Sequence, residues 1–473
     1  MIKRIVYKEF VEAWRDGRFR VAAVIIIGLL TTALAAGMVG ASRQTRERLE
    51  AVTADRVEWL AQGARNPHSA AHFGRYAFKP VTGFAFFDAG LDRYTGVAVW
   101  LEAHFQDTFR HRPIEDATAL QRFAEMTAAS LLQQLAPLFI VLFAFGQFAA
   151  EREHGLLRQL LSTGIPPQQL FLGKLGGSAL FLAGVFVPAA VLGALTLVAS
   201  QGHEAALRSP DRVAWLAAAY IAYLGTILVI ALGVSASMRS ARAALLMLLA
   251  LWAFGCLLVP RLAADIAARV APSPSYEAFW HAIEHDIKEG FQGSGNEAVR
   301  DRTLRARVLA EYGVPTIEQL PVSFEGLSLQ AMEDFSNRVY DFHYRRLWDS
   351  FNRQERVQEM VGLLSPVMGV RAVSMGMAGT DLAHFRHFSD AAEAYRRTMV
   401  RRLNVEFRDK AGPESYAYVD DGSLWSTVPD FSYSPPDTRW ILAQQRRPLA
   451  SILVWLVVAC GVALWSPGRL RAA

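Results

Sequence analysis

Six stretches of the chain carry no Asp, Glu, Lys or Arg: residues 21–42, 126–150, 175–203, 213–238, 243–260 and 448–468. A helix needs roughly 20 apolar residues to cross about 30 Å of hydrocarbon, where an unpaired backbone amide has no water to bond. Five of the six stretches meet that length. Residues 243–260 number only 18; that span is expected to continue through Arg261, whose side chain snorkels to the interface, with Pro260 at its outer end or at a kink. The pattern therefore predicts an α-helical polytopic membrane protein with six transmembrane helices at 21–42, 126–150, 175–200, 213–238, 243–260 and 448–468.

Between the spans the periodicity changes. Phe335, Val339, Phe342, Leu347 and Phe351 recur at helical spacing across 331–358. Ser365-Pro366 offers an N-cap with proline at the first helical position, and Gly379-Thr380-Asp381 ends one helix and caps the next, expected to run to about Phe407. Residues 76–101, with glycines between aromatic clusters, read as turns and short strands, and 411–440 as irregular chain. Segments 43–125 and 261–447 together are long enough for a domain with its own core, read as a large, mainly helical α+β extracytoplasmic domain.

The 473 residues include 49 basic and 44 acidic side chains, 20% of the chain. Outside the six stretches the charged share rises to 28% of 332 residues, close to that of soluble domains. This segregation excludes disorder, a collagen-like chain and a simple cytosolic fold. Basic residues gather at 1–20 (Lys3, Arg4, Lys8, Arg15, Arg18, Arg20), in 151–174 (Arg152, Arg158, Lys174), at Arg239 and Arg242, and in the tail 469–473 (Arg469, Arg471). The positive-inside rule places these on the cytoplasmic face, N-in and C-in, so the net charge of +5 is not read as a nucleic-acid surface. Val39-Gly40-Ala41 resembles a signal cleavage site, but the basic and apolar regions before it are long for a signal, and the first span is expected to stay as an anchor. Cys256 and Cys460, the only cysteines, lie within spans, so no disulfide framework is expected outside.

The connection 151–174 carries the most specific pattern. Glu151-Arg152-Glu153-His154-Gly155 is followed by Leu156, Leu157, Leu160 and Leu161, then Gly164-Ile165-Pro166-Pro167 and a closing Gly173-Lys174. By itself this is a short amphipathic helix, a break and a return to the membrane, with an interfacial helix as the plain reading. The arrangement of acidic pair, glycine with leucines, proline break and Gly-Lys resembles the coupling-helix loop of ABC-2 type exporter permeases. That resemblance implies that Glu151, Glu153, Gly155, Leu156, Leu157, Leu160, Leu161, Gly164, Pro166, Gly173 and Lys174 form the contact with a separate ATPase subunit. Residues 1–20 are similar to the family's amphipathic connecting helix, with Ile2, Val6, Phe10, Ala13 and Trp14 on one face. Leu91–Val97, Leu101-Glu102-Ala103-His104, Leu364-Ser365-Pro366, Ala378–Asp381, Trp425 and Val428–Tyr433 look like a subgroup with a large external domain of unknown function. The similarity runs over nearly the whole chain. The typical ABC-2 permease has only short helices between spans five and six, against about 185 residues here.

A Walker A loop is absent: Gly173-Lys174 is followed by Leu175, and no G-x-x-x-x-G-K-[ST] occurs. ATP and Mg are therefore expected on the partner ATPase and no cofactor in this chain. The resemblance implies a permease subunit of an export complex in the bacterial inner membrane, dimeric with a second copy or paralogue and surrounded by lipid; the external bulk offers a surface to a periplasmic partner. Two alternatives stand beside export. One is a non-transporting complex in which ATPase motion does mechanical work. The other is a zinc metallopeptidase using His281, Glu284 and His285, an H-x-x-E-H pattern whose third ligand is not identifiable. The bland reading of that pattern is an amphipathic helix with histidines at its edge, and the helix-spaced pairs His68/His72 and His384/His387 read as surface. Gln133, Gln134, Tyr220 and Tyr223 are the strongest polar groups within spans, read as helix-packing contacts or as part of a pathway.

Overall fold

The computed structural model describes residues 1–115, 126–201 and 210–470. Most of the 204–212 loop, the end of the first external segment and Arg471 lie outside them. Helix α1 (Ile2–Arg15) stops at Asp16, whose extended backbone turns the chain and whose carboxylate accepts the Arg18 N–H at 2.9 Å to cap α2 (Gly17–Leu60). At 1.5 Å per residue α2 is about 66 Å long, roughly twice the hydrocarbon thickness. The first span and the opening of the external segment are thus a single rod. The charges after Arg43 end the apolar run without ending the helix.

The rod leads to α3 (Pro67–Phe73), capped by Asn66, and to an antiparallel sheet in the order β1 (Arg75–Phe78), β2 (Ala98–Leu101), β3 (Gln106–Arg110). Helix α4 (Ala128–Glu153) returns through the bundle with a π turn at Leu131–Leu135. The short α5 (Leu156–Ser162) connects it to α6 (Pro167–Gln201), followed by α7 (Pro210–Ser237) and α8 (Ala241–Val270). Pro260 neither ends nor breaks α8: a π turn at Ala253–Leu258 precedes it and the helix runs ten residues beyond, since such a turn absorbs the lost hydrogen bond and the ring.

After α8 come α9 (Tyr276–Glu289), α10 (Glu297–Tyr312), α11 (Phe324–Gly362), α12 (Pro366–Ala378), α13 (Leu382–Lys410), α14 (Ser423–Thr427) and α15 (Thr438–Gln444), then α16 (Arg446–Leu470). Ser365 and Asp381 cap α12 and α13, and Gly379 closes α12 at φ +76°. Among the described residues six helices, α2, α4, α6, α7, α8 and α16, are long and apolar enough to cross a membrane, the outline of a multi-pass membrane protein. Val24, Val187, Ile221, Val457 and Leu464 face outward from them, which suits contact with lipid.

Among the described residues there are six apolar cores, of which the four larger organise the chain. One joins α1, α4, α5, α6 and α7 through Ile5, Phe143, Phe148, Leu157, Phe171 and Leu232. A second, toward the other end of the bundle, takes Val367, Val370, Val373 and Met377 of α12 against Leu34, Tyr220 and Ile452. Residues 261–447 are therefore not one body apart from the spans: α12 belongs to the bundle. Farther out, Trp59, Leu101, Phe388, Leu403 and Trp425 tie the end of α2 and the sheet to α13 and α14, and Ile283, Phe335 and Val339 pack α9 on α11.

Candidate functional site

The segments 1–20, 151–174, 239–242 and the start of the tail meet at one end of the bundle. Lys174, only 1% exposed, is the junction: its Nζ donates to Glu9 Oε1 at 3.0 Å and to Glu151 Oε1 at 2.8 Å. One ammonium thus joins α6, α1 and α4. Alongside, Arg152 donates to the carbonyls of Ala236 and Met238 at 2.7 and 2.6 Å and to that of Arg469 at 3.1 Å. Glu153 accepts the Ala241 N–H at 3.0 Å, at the start of α8, where a carboxylate meets unpaired amides and the positive end of the helix.

Glu151 therefore faces inward and Glu153 caps a helix of the same chain, whereas the resemblance had given both to a partner. Sequence alone could not separate the cases, because a carboxylate reads as polar whichever way it turns. Gly173 and Lys174 likewise belong to the packing. Gly173 and Gly177 lie directly under α1: a Cβ on Gly173 would stand 2.5 Å from Ile5 Cγ2, and one on Gly177 2.5 Å from Glu9 Cβ. The buried face of α1 is Ile5, Glu9 and Ala13, with Val6 and Phe10 partly covered. Ile2 and Trp14, expected on the apolar face, are exposed.

Helix α5 divides cleanly. Leu157 is fully buried, and Leu161 and Ile165 pack partly against the same core. Leu156, Arg158, Gln159, Ser162 and Thr163 point outward, Leu160 is intermediate, and Gly155, Gly164 and Pro166 are exposed at the ends. Gly155 and Gly164 sit at φ +75° and +83° with open space around them, so their role is the backbone turn at either end of α5. The result is a knob of about two turns, anchored by leucines and presenting a half-exposed Leu156 among polar neighbours.

Within the spans, the Gln133 side chain donates to Tyr220 Oη at 3.0 Å, Tyr220 donates to Ser374 Oγ at 3.1 Å, and Ser374 donates to Asp88 at 2.5 Å. Burial pushes the Asp88 carboxyl up, against the hydrogen bonds from Ser374 and Gly90. Tyr223 donates to the Gln133 carbonyl at 2.7 Å, an acceptor in the π turn. These groups bind α4, α7 and α12 together. Gln134 stands apart: its side chain is exposed, and its carbonyl accepts from Trp252 at 2.9 Å.

His281, Glu284 and His285 lie on the exposed face of α9, and Glu284 pairs with Lys288 at 2.7 Å. Among the described residues they form no three-donor group close enough for one metal; that group is His68, His72 and His104. Sequence reading paired the first two and missed the third, 32 residues on in a hairpin tip, where no helical spacing points to it. It also missed the buried cluster Glu333–Arg396–Glu393, with Arg396 fully buried. No curated protein matches the chain. Residues 276–434, from α9 to just beyond α14, match a family described as a domain of unknown function (DUF3526).

Proposed function

We propose that this chain is the membrane-spanning subunit of an ATP-driven ABC-2 type export complex, N-in and C-in in a bacterial inner membrane, with the ATPase on separate subunits. The carrying observation is the buried Lys174 junction with Glu9 and Glu151. A load applied at the α5 knob reaches α1, α4 and α6 through one ion-paired, close-packed joint, as rigid-body transmission requires. Two permease chains, identical or paralogous, would place two such knobs against two ATPase subunits. ATP binding would draw the knobs together and rock the spans, moving cargo out of the cytoplasm or the membrane. The sorting of 43–115 and 261–447 away from the Lys174 end, illustrated by the Arg65–Asp420 bridge and the Trp59–Trp425 contact, supports that sidedness.

The docking face on this reading is Leu156, Arg158 and Gln159 rather than the acidic pair. Co-expression with the ABC ATPase encoded beside the chain tests it. Leu156→Asp with Arg158→Glu is expected to abolish co-purification while leaving the unfolding temperature unchanged, since both side chains are exposed. Retained association in that double variant would remove α5 from the interface.

A further inference from the structure

Three histidines of the first external segment converge far in sequence from the H-x-x-E-H helix. His68 and His72 lie one turn apart on α3 with their Nε2 atoms 3.2 Å apart. His104, between β2 and β3, brings its ring centroid to 5.3 Å from His68 and 5.1 Å from His72. One donor nitrogen from each lies within 4.8 Å of the other two. Two nitrogens bound to one tetrahedral zinc at 2.0–2.1 Å stand about 3.3 Å apart, so the α3 pair already has ligand spacing. An N–H···N bond between the two rings would give the same distance. It would not account for the third imidazole, and His68 Nδ1 is buried with no hydrogen-bond partner.

His104 is held from behind. Glu333 accepts its backbone N–H, and the same carboxylate oxygen lies 3.1 Å from Nδ1, close but not aligned as a hydrogen bond. Glu333 is buried and fixed in turn by Arg396 at 3.2 Å; Arg396 also binds Glu393 at 2.8 Å and Asn337 at 2.6 Å. A carboxylate behind a ligating imidazole sets its tautomer and orientation. The His104 backbone stands at φ +67°, an uncommon conformation for a residue with a side chain. His72 is exposed and gives a cation access from solvent.

We propose that His68, His72 and His104 form a site for a borderline transition-metal dication of the zinc class, with one coordination position left for water or a ligand. A bound ion would clamp α3 to the hairpin against the Glu333–Arg396 cluster. The proposal is independent of export and of the 281–285 motif. The test strips the full-length detergent-purified chain with chelator and titrates it with Co²⁺, then displaces the Co²⁺ with Zn²⁺. One equivalent per chain is expected, with tetrahedral-type visible absorption lost on zinc addition. In His72→Ala and His104→Ala the affinity should fall by more than the about 10- to 100-fold that loss of an outer-shell partner costs; in His281→Ala it should not change. The exposed His72 is replaceable without loss of packing, so an unaltered unfolding temperature in metal-free His72→Ala separates lost ligation from lost fold. Absence of stoichiometric binding, binding undiminished in His72→Ala, or binding abolished by His281→Ala would each overturn the assignment.

Discussion

Lys174 illustrates how much rests on one residue at its end of the bundle. Its ammonium is shared by two carboxylates, one 6% and one 17% exposed. Removing one partner of a buried pair leaves charge unpaired at a cost of about 3–5 kcal/mol. Lys174→Met should accordingly lower stability by about that amount, and Glu9→Gln by less because Glu151 remains, as thermal unfolding in detergent can show. A charge reversal at Glu151 would thus disturb the fold before it reported on any partner. Glu355 offers a pH-dependent counterpart. The residue is exposed to solvent but lines, with Pro260, Asp381 and Arg447, a cavity of about 510 Å³; desolvation by that wall, with Glu359 and Asp381 nearby, pushes its carboxyl up to about 7, a shift that open solvent weakens. A carboxyl raised on folding costs stability once ionised, so that cost grows as pH rises from the ordinary carboxylate range to about 7 and is level above it. Glu355→Gln should unfold at a higher temperature than the parent at pH 8, with the gap closing toward pH 5. Neither residue's role was legible in the sequence: Lys174 meets Glu9 across 165 positions, and Glu355 looks like any polar position on a helix.

Elements were more legible where burial leaves a compositional trace. The six charge-free runs locate the helices that are long and apolar enough to cross a membrane, because a helix in hydrocarbon carries few charges, and the glycine and proline breaks frame α5. The register of α1 was not legible, since its packed face centres on Glu9 and a buried carboxylate gives no apolar signal. Nor was the seating of α12 among the spans, because an apolar helix of 13 residues fits a soluble core equally well. The α1–α6 contact has a sharp consequence. A Cβ on Gly177 would stand 2.5 Å from Glu9 Cβ and 2.9 Å from the Val6 carbonyl, so α1 must shift to admit it. Gly177→Ala should cost about 1–3 kcal/mol and weaken coupling, read as reduced ATPase stimulation by the assembled complex. Gly184→Ala, with no atom within 4 Å of the added Cβ, serves as the matched control; equal effects of the two would show that close packing of α1 is unimportant.

For the whole molecule, the two ends of the bundle are chemically distinct: basic connections knit by Lys174 and Arg152 at one, a helical domain with a small sheet at the other. The N-in, C-in orientation is checked with single cysteines in a chain lacking Cys256 and Cys460. Ala298→Cys should react with an impermeant thiol reagent on spheroplasts and Ser162→Cys only after permeabilisation; the reverse would invert the topology. On the export reading, the long chain between α8 and α16 sets this protein apart from short-loop permeases, and the histidine cluster gives residues 68–104 a chemistry of their own. The central claim is that the α5 knob docks on an ATPase. Its most direct test is a photo-crosslinking residue at Leu156, in membranes co-expressing the neighbouring ABC ATPase. The account predicts a covalent adduct to the ATPase whose yield changes with ATP, and none from the same label at the outward-facing Leu464. Labelling of lipid alone from Leu156, in every nucleotide state, would contradict it.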